Sequence, residues 1–202
     1  MTIKINNFFW VKTFIIACFT LALSCGDSYI PKPKAYLRLD YPEAKYFTPS
    51  LKDLPFTFKT NELAKNIKVK EVSAPTKSYG ININYPSMKG TIFLTYKAIE
   101  NNPSNLSDFL RDAQNFTQKH TIKADEIPVT IYENKERKVY GAFAEVKGNV
   151  ASPAQFYVTD SVKHFLTGSL YFRAKPNYDS ILPAAHYLQS DIKHLMETIC
   201  WK

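Results

Sequence analysis

Apolar and polar residues alternate in several short segments of the chain, a period typical of strands with one buried face. In Thr91–Ile99, the residues Ile92, Leu94 and Tyr96 fall on one face. The residues PSMKG, after the second predicted strand, are typical of a hairpin turn. The predicted strands are Asn66–Val72, Tyr79–Tyr85, Thr91–Ile99, Ile127–Glu133, Lys138–Val146, Ala154–Asp160 and His164–Phe172.

Two further segments carry apolar residues at the spacing of a helix with one buried face. The first is Leu106–His120, and the second is Ser190–Trp201, with Ser190 as the expected N-cap. The order of strands, helix, four strands and helix predicts an α+β domain with two main helices packed on an antiparallel sheet. This order is similar to the PsbP/Mog1-like sandwich, a likeness of fold that carries no function.

The start of the chain has the pattern of a secretory signal. Lys4 and Lys12 precede the apolar run Phe14–Leu23, which is too short to cross a bilayer core of roughly 30 Å. The run ends at Ser24 and Cys25, as in bacterial lipoprotein signals, where the cysteine becomes the acylated first residue. Because each buried methylene contributes about 0.8 kcal/mol, two or three acyl chains would hold the protein on a membrane.

The sequence allows two other ways of processing the signal. Cys18 also resembles an acylation site, but cleavage there would leave an apolar mature N-terminus, and Ala22 stands where leucine is commonest before Cys25. An ordinary signal cleaved near Ser24 would leave Cys25 unexplained. We therefore expect a lipoprotein signal in residues 1–24 and lipidation at Cys25.

The segment that follows Cys25 is rich in proline, which excludes regular helix and favours an extended chain. We expect residues 25–54 to form a lipid-anchored extended tether, whose part from Tyr36 onward lies against the domain, and residues 55–202 to form one α+β domain. The prolines in this region are Pro31, Pro33, Pro42, Pro49 and Pro55.

Charge and cysteine content exclude several function classes. Loss of Lys4 and Lys12 with the signal would lower the net charge of +8 to about +6, and the remaining basic residues are scattered rather than gathered in a stripe for nucleic acid. Cys200 would be the only other cysteine beside Cys25, so no internal disulfide is expected, and we expect Cys200 to be a buried free thiol. No spacing suits a metal, and no glycine-rich loop suits a phosphate cofactor.

The residues Asp160, Ser161 and His164 are the types found in a hydrolase triad. Their segment TDSVKH, however, lies between two predicted strands, where Asp and Ser are ordinary turn residues. His186 and His194 lie eight residues apart without a metal-binding motif. The sequence therefore predicts no catalytic site and no cofactor.

The exit of the first predicted helix, KHTIKADEI, has two interpretations. Lys119, His120 and Lys123 are basic, and basic residues are favoured at the C-terminus of a helix. The alternative is a polar recognition edge formed with the loop GNVASP, which contains Asn149. These four residues are the predicted partner-binding residues.

Several blocks of the chain resemble the GldD family of gliding-motility lipoproteins of the Bacteroidetes. The blocks are SYIPKPKAYLRLDYPE, KHTIKADEI, VYGAFAEVKGNVASPAQFYVTDSVKHFLTGSLYF and DIKHLMETICWK. The resemblance implies a cell-envelope lipoprotein required for gliding, linked to type IX secretion and without known enzymatic activity. It also implies an acylated Cys25. We expect other motility or secretion proteins as partners and a place on the outer membrane facing the periplasm.

Two other functions remain open. A lipid-anchored module that binds a small molecule or a lipid predicts an apolar pocket within the fold. A hydrolase predicts Ser161 and His164 within hydrogen-bond reach of each other beside a cleft.

Overall fold

The structure, a computed structural model, describes residues 39–118, 124–173 and 178–202. The chain divides into two units, and all of the described residues belong to the second, Tyr36–Lys202.

A sheet of seven antiparallel strands forms the centre of this unit. Its strands lie in the order β4-β5-β6-β10-β9-β8-β7, and two smaller sheets pair β1 with β3 and β2 with β11. The strands are β1 (Tyr46–Phe47), β2 (Phe56–Thr57), β3 (Thr60–Asn61), β4 (Lys65–Val72), β5 (Ser78–Tyr85), β6 (Gly90–Ala98), β7 (Val129–Asn134), β8 (Val139–Glu145), β9 (Ala154–Thr159), β10 (His164–Phe172) and β11 (Cys200–Trp201).

Two α-helices cover the sheet, α1 (Pro103–Gln118) and α2 (Tyr178–Thr198). Helix α1 connects β6 in the middle of the sheet with β7 at its edge, and the chain then returns strand by strand to β10 beside β6. The predicted α+β class is confirmed, and the seven predicted strands are present within two residues of their expected ends. The predicted turn is a short 3₁₀ segment, Pro86–Met88, followed by Lys89 in the left-handed region at φ 53°.

The hydrophobic core lies between α2 and one face of the sheet. Alternate residues of the central strands point into it and meet the apolar side of the helix. Each such side chain contributes roughly 1.5–3 kcal/mol through its burial. The fully buried residues include Ile81, Ile83, Ile92, Leu94, Leu166, Leu170, Leu188 and Ile192.

Helix α2 begins at Tyr178, so the prediction of a start capped by Ser190 is wrong. Pro183 is the sixth residue of the helix, so the helix lacks the N–H that would bond the carbonyl of Asp179. Ser190 is in the helix interior, where its hydroxyl donates to the carbonyl of His186 at 3.1 Å. Beyond the helix the chain forms β11, and Cys200 is a free, exposed cysteine rather than a buried one. The alternation of a strand explains this, because Ile199 beside it is fully buried.

The described part of the predicted tether packs against α2. Its strand β1 pairs with β3, so that Tyr46 lies opposite Asn61. The ring of Tyr41 contacts the ring of Tyr187 at 5.2 Å between centroids, and the Tyr187 hydroxyl donates to the carbonyl of Pro42 at 3.0 Å. The chain from Tyr41 onward is therefore attached to the domain.

Candidate functional site

The predicted lipidation site Cys25 and the predicted contact residues Lys119, His120 and Lys123 lie outside the described residues. Asn149 is exposed, in the loop between β8 and β9.

The segment that follows the exit of α1 lies beside this loop. The backbone N–H of Asp125 donates to the carbonyl of Lys147 at 2.9 Å, and Glu126 forms a β-bridge with the same residue. Gly148 has a φ of +108°, and a side chain there would crowd Asp125. The two segments expected to form one recognition edge are therefore neighbours in their described parts.

The segment TDSVKH is the turn between β9 and β10, as predicted. One carboxylate oxygen of Asp160 accepts backbone N–H bonds from Val162, Lys163 and His164 at 2.8–3.0 Å. Ser161 occupies the left-handed region at φ 67°. The aspartate therefore fixes the turn.

His164 has its own partners within the fold. Its Nδ1 lies 2.9 Å from the hydroxyl of Tyr96, and its ring stacks on Trp201 at 5.0 Å. Burial lowers the pKa of His164, which favours the neutral ring. These contacts place the histidine in a packed aromatic group.

The other histidines provide no metal centre in the described parts of the chain. His194 stacks on the ring of Tyr46 at 3.7 Å. Among residues 39–118, 124–173 and 178–202, no group of three or more His, Cys, Asp or Glu side chains could hold a metal ion. In the same ranges, neither helix combines the length and the apolar character that crossing a membrane requires.

A cleft lies between α1 and the outer face of the sheet, the face that points away from α2. Its volume is about 580 Å³, within the range of about 300–1,000 Å³ of pockets that bind small molecules. Phe109, Ala113 and Thr117 of α1 line its roof. None of the residues of α1 is buried, because the helix covers the sheet without filling the space beneath it.

Two rows of side chains form the floor of the cleft, and each row crosses five neighbouring strands. Strand pairing fixes these rows, since directly paired residues point to the same face. The first row is Phe93, Ser169, Gln155, Ala144 and Val129, and the second is Thr95, Thr167, Tyr157, Ala142 and Ile131.

Gln155 is the buried polar residue of this floor, with 3% of its surface exposed. Its Oε1 accepts a hydrogen bond from the Thr117 hydroxyl at 2.8 Å. Its Nε2 is buried and has no hydrogen-bond partner among the described residues. A buried donor without an acceptor costs free energy, and Gln155 is one of the residues that line the cleft.

A second polar cluster joins the N-terminal segment to α2. Asp191, 3% exposed, accepts hydrogen bonds at Oδ1 from the Tyr46 hydroxyl at 2.9 Å and from Asn61 Nδ2 at 3.1 Å. Burial raises the pKa of Asp191, and the hydrogen bonds from Asn61 and Tyr46 act in the opposite direction. Neither this cluster nor Gln155 is evident from the sequence pattern.

Comparison with known proteins identifies the family of the chain. The family model described as gliding motility lipoprotein GldD matches residues 26–201. No curated protein and no solved structure matches the chain, so the likeness to the PsbP/Mog1 sandwich stays a prediction. The match includes the blocks that carry the resemblance up to Trp201 and nearly the whole sequence, and the chain belongs to the GldD family of gliding-motility lipoproteins.

Proposed function

We propose that the protein is a non-catalytic component of the gliding apparatus, anchored by lipid at Cys25, that binds other motility and type IX secretion proteins. Membership of the family implies the role in gliding motility and the lipid anchor. The proposal adds the mode of action, the partners and a place on the periplasmic side of the outer membrane.

The attachment of Tyr41–Phe47 to α2 is the observation that carries the proposal. If Cys25 holds the lipid, 15 residues separate the anchor from Tyr41, so 16 residue steps join the two. At about 3.3–3.6 Å per step, they span at most about 58 Å. The domain then stays close to the membrane, and the raised effective concentration lets weak contacts capture membrane-bound partners.

The contacts of Asp160 and His164 support the absence of catalysis. Asp160 accepts three backbone N–H bonds in its turn, and His164 contacts Tyr96 and Trp201. A triad instead requires a base that faces its nucleophile and a carboxylate that orients the base. Both side chains have structural partners that account for them.

The proposed contact surface consists of Lys119, His120, Lys123 and Asn149. The backbone bond between Asp125 and Lys147 supports this grouping, because it joins the end of one segment to the start of the other. Basic groups on one edge would favour partners with acidic surfaces.

Cross-linked pulldown from envelopes of gliding cells tests the proposal. Wild type should capture envelope proteins of the motility or secretion machinery, and the variant Lys119→Glu/Lys123→Glu should capture them much less. Lys68→Glu/Lys70→Glu is the matched control, because these exposed lysines allow the same charge change on β4, the edge strand farthest from β7. If Lys119→Glu/Lys123→Glu and Lys68→Glu/Lys70→Glu capture the same amount of partner, the proposed surface is wrong. If the amount captured does not change in any variant or when the lipid anchor at Cys25 is removed, tethered binding is wrong.

A further inference from the structure

We propose that the cleft beneath α1 binds a long acyl chain, with the ligand's carbonyl or carboxylate oxygen accepting a hydrogen bond from Gln155 Nε2. This goes beyond the capture of partner proteins, because it assigns a small-molecule site to the interior of the fold. It takes up the lipid-binding alternative, which requires an apolar pocket.

The shape of the cleft favours an elongated ligand. Its floor runs across β6, β10, β9, β8 and β7. With strands about 4.8 Å apart, the four intervals between them span about 19 Å. A slot of this length beneath a helix fits an extended chain better than a compact ring system.

The floor has a polar half and an apolar half. On β10 and β9 the lining includes the hydroxyls of Thr167 and Ser169 and the amide of Gln155, beside the rings of Phe156, Tyr157 and Phe165. On β8 and β7 it is lined by aliphatic groups that continue to Ile131, which is 74% exposed at the edge of the sheet. This division matches an amphiphile whose head lies over the polar strands and whose tail lies over the aliphatic ones.

A positive charge lies at the polar end. The ammonium group of Lys97 on β6 lies over the ring of Phe109 at 4.6 Å and 3.4 Å from a carboxylate oxygen of Asp112. Lys97 and its ion-pair partner Asp112 both line the cleft, and Lys97 is the one basic residue among the described residues that line it. It favours a ligand with an oxygen acceptor at its head over a pure hydrocarbon.

The amide of Gln155 needs an acceptor in the structure as it stands. The amide has two polar atoms, Oε1 and Nε2, and the Thr117 hydroxyl bonds only one of them. Rotating the amide by 180° would exchange the two atoms, but one of them would still have no partner among the described residues. With Nε2 as the unpaired atom, a carbonyl or carboxylate oxygen of the ligand can accept the hydrogen bond that Nε2 donates. The cleft is thus apolar with one polar group that fixes orientation, the usual composition of a ligand site.

A peptide fits this site less well than an acyl chain. Each buried peptide unit brings an N–H and a C=O that require partners, whereas an acyl chain brings one oxygen-bearing head. The floor presents side chains, because the backbone groups of its inner strands are already paired in the sheet.

Photo-crosslinking tests the assignment with the whole anchored protein in phosphatidylcholine nanodiscs. A palmitic acid that carries a diazirine on its chain is irradiated with the protein, and labelled peptides are mapped by mass spectrometry. Saturable labels on α1, β7 or β8 are expected, with competition by unlabelled palmitate if the site takes free fatty acid and by palmitoyl-lysophosphatidylcholine if it takes the acyl chain of a lipid. Gln155→Leu should weaken competition by palmitate about tenfold, the effect of one lost hydrogen bond to a charged group.

Three variants give the decisive comparison. Ala144→Phe fills the cleft and should lower labelling about 15-fold or more, since the chain could no longer bury two or three methylenes there. Ile131→Glu should also lower it, and this exposed position does not affect folding of the core. Thr130→Phe, exposed on the opposite face of the same strand, should label like wild type.

The proposal fails if labelling of wild type does not saturate, if neither competitor reduces it, or if Ala144→Phe and Ile131→Glu both label like wild type. If Ala144→Phe loses a cross-linked protein partner but keeps full acyl labelling, the cleft is a protein-docking surface and the acyl assignment is wrong. Because Lys119 and Lys123 test partner capture separately, failure here leaves that proposal standing.

Discussion

Removing one oxygen atom from Tyr46 tests how the N-terminal segment is held on the domain. In Tyr46→Phe the ring remains stacked on His194, and β1 still pairs with β3. The change removes the hydroxyl that donates to Asp191 at 2.9 Å. Asp191 is buried, and without the Tyr46 hydroxyl its carboxylate keeps the hydrogen bond from Asn61 and its interaction with the hydroxyl of Tyr85.

The expected loss follows from the charge of the acceptor. Hydrogen bonds to charged groups contribute about 1.5–3 kcal/mol to stability, and neutral ones about 0.5–1.5 kcal/mol. We therefore expect Tyr46→Phe to lower the free energy of unfolding by about 2 kcal/mol at pH 7. For a fold of this size that is a fall in Tm of about 4–8 °C.

The loss should depend on pH in a defined direction. Burial raises the pKa of Asp191 above its ordinary value of 3.8. The folded state therefore binds a proton more readily than the unfolded state, and this carboxyl lowers stability as pH rises from about 3.8 through the raised pKa. The Tyr46 hydrogen bond opposes this shift, so its removal should lower the free energy of unfolding more at pH 7 than near pH 4, because a larger share of the carboxyl is charged at the higher pH.

Thermal and urea unfolding of wild type and variant at both pH values measure this difference. Tyr132→Phe is the control, because Tyr132 also packs at the edge of the core and its hydroxyl has no hydrogen bond among the described residues. Tyr132→Phe should lower the free energy of unfolding by a small amount that is equal at the two pH values. If Tyr46→Phe costs the same at pH 4 as at pH 7, or more at pH 4, the assignment of the buried charge is wrong.

Other predictions concern the anchor, the turn and the sheet. Cys25→Ala should abolish fatty-acid labelling in cells while Cys18→Ala keeps it, and the reverse pattern would move the anchor to Cys18. Ser161→Ala should leave gliding intact in a complementation assay, and loss of motility in a folded, anchored protein would end the non-catalytic proposal. Gly141→Ala should lower stability by more than about 2 kcal/mol, because its Cβ would collide with a backbone oxygen of β9. Gly80→Ala, where the nearest neighbour is a side-chain atom at 3.6 Å, should change the Tm little, and equal Tm values for the two variants would contradict the steric argument.

The main strands could be predicted from sequence because each carries its alternation over six or more residues. Strands β1, β2, β3 and β11 have two residues each, which is too few to show a period. Their partners are distant in sequence, as Trp201 opposite Phe56 illustrates. Such pairs form only after the sheet and α2 have brought the chain segments together.

The start of α2 could not be predicted from sequence, because a proline such as Pro183 indicates a helix boundary in most sequences. Here the proline falls early in the helix, so only one hydrogen bond is lost and the helix extends on both sides of it. The same extension brings Tyr187 into contact with the N-terminal segment. Without it, the cluster around Asp191 could not be anticipated.

Gln155 was not identified because alternation in AQFYVT places it with Tyr157 on the face away from the core. A polar residue on that face is ordinarily solvated. The structure buries it because α1 lies above it and Thr117 bonds its oxygen. The burial is a tertiary effect that the strand's own pattern does not contain.

The two faces of the sheet show why a helix pattern does not reveal a cleft. Both helices have apolar residues at helical spacing, yet α2 fully buries Leu188 and Ile192, whereas α1 buries none of its residues. The difference comes from the sheet, since the floor beneath α1 includes small residues such as Ala142 and Ala144. Periodicity reports which side of a helix faces inward, and the volume of the opposing side chains decides whether the space is filled. Helix α1 therefore still has apolar surface to bury, and a ligand that fills the cleft would stabilise the helix on the sheet by burying that surface.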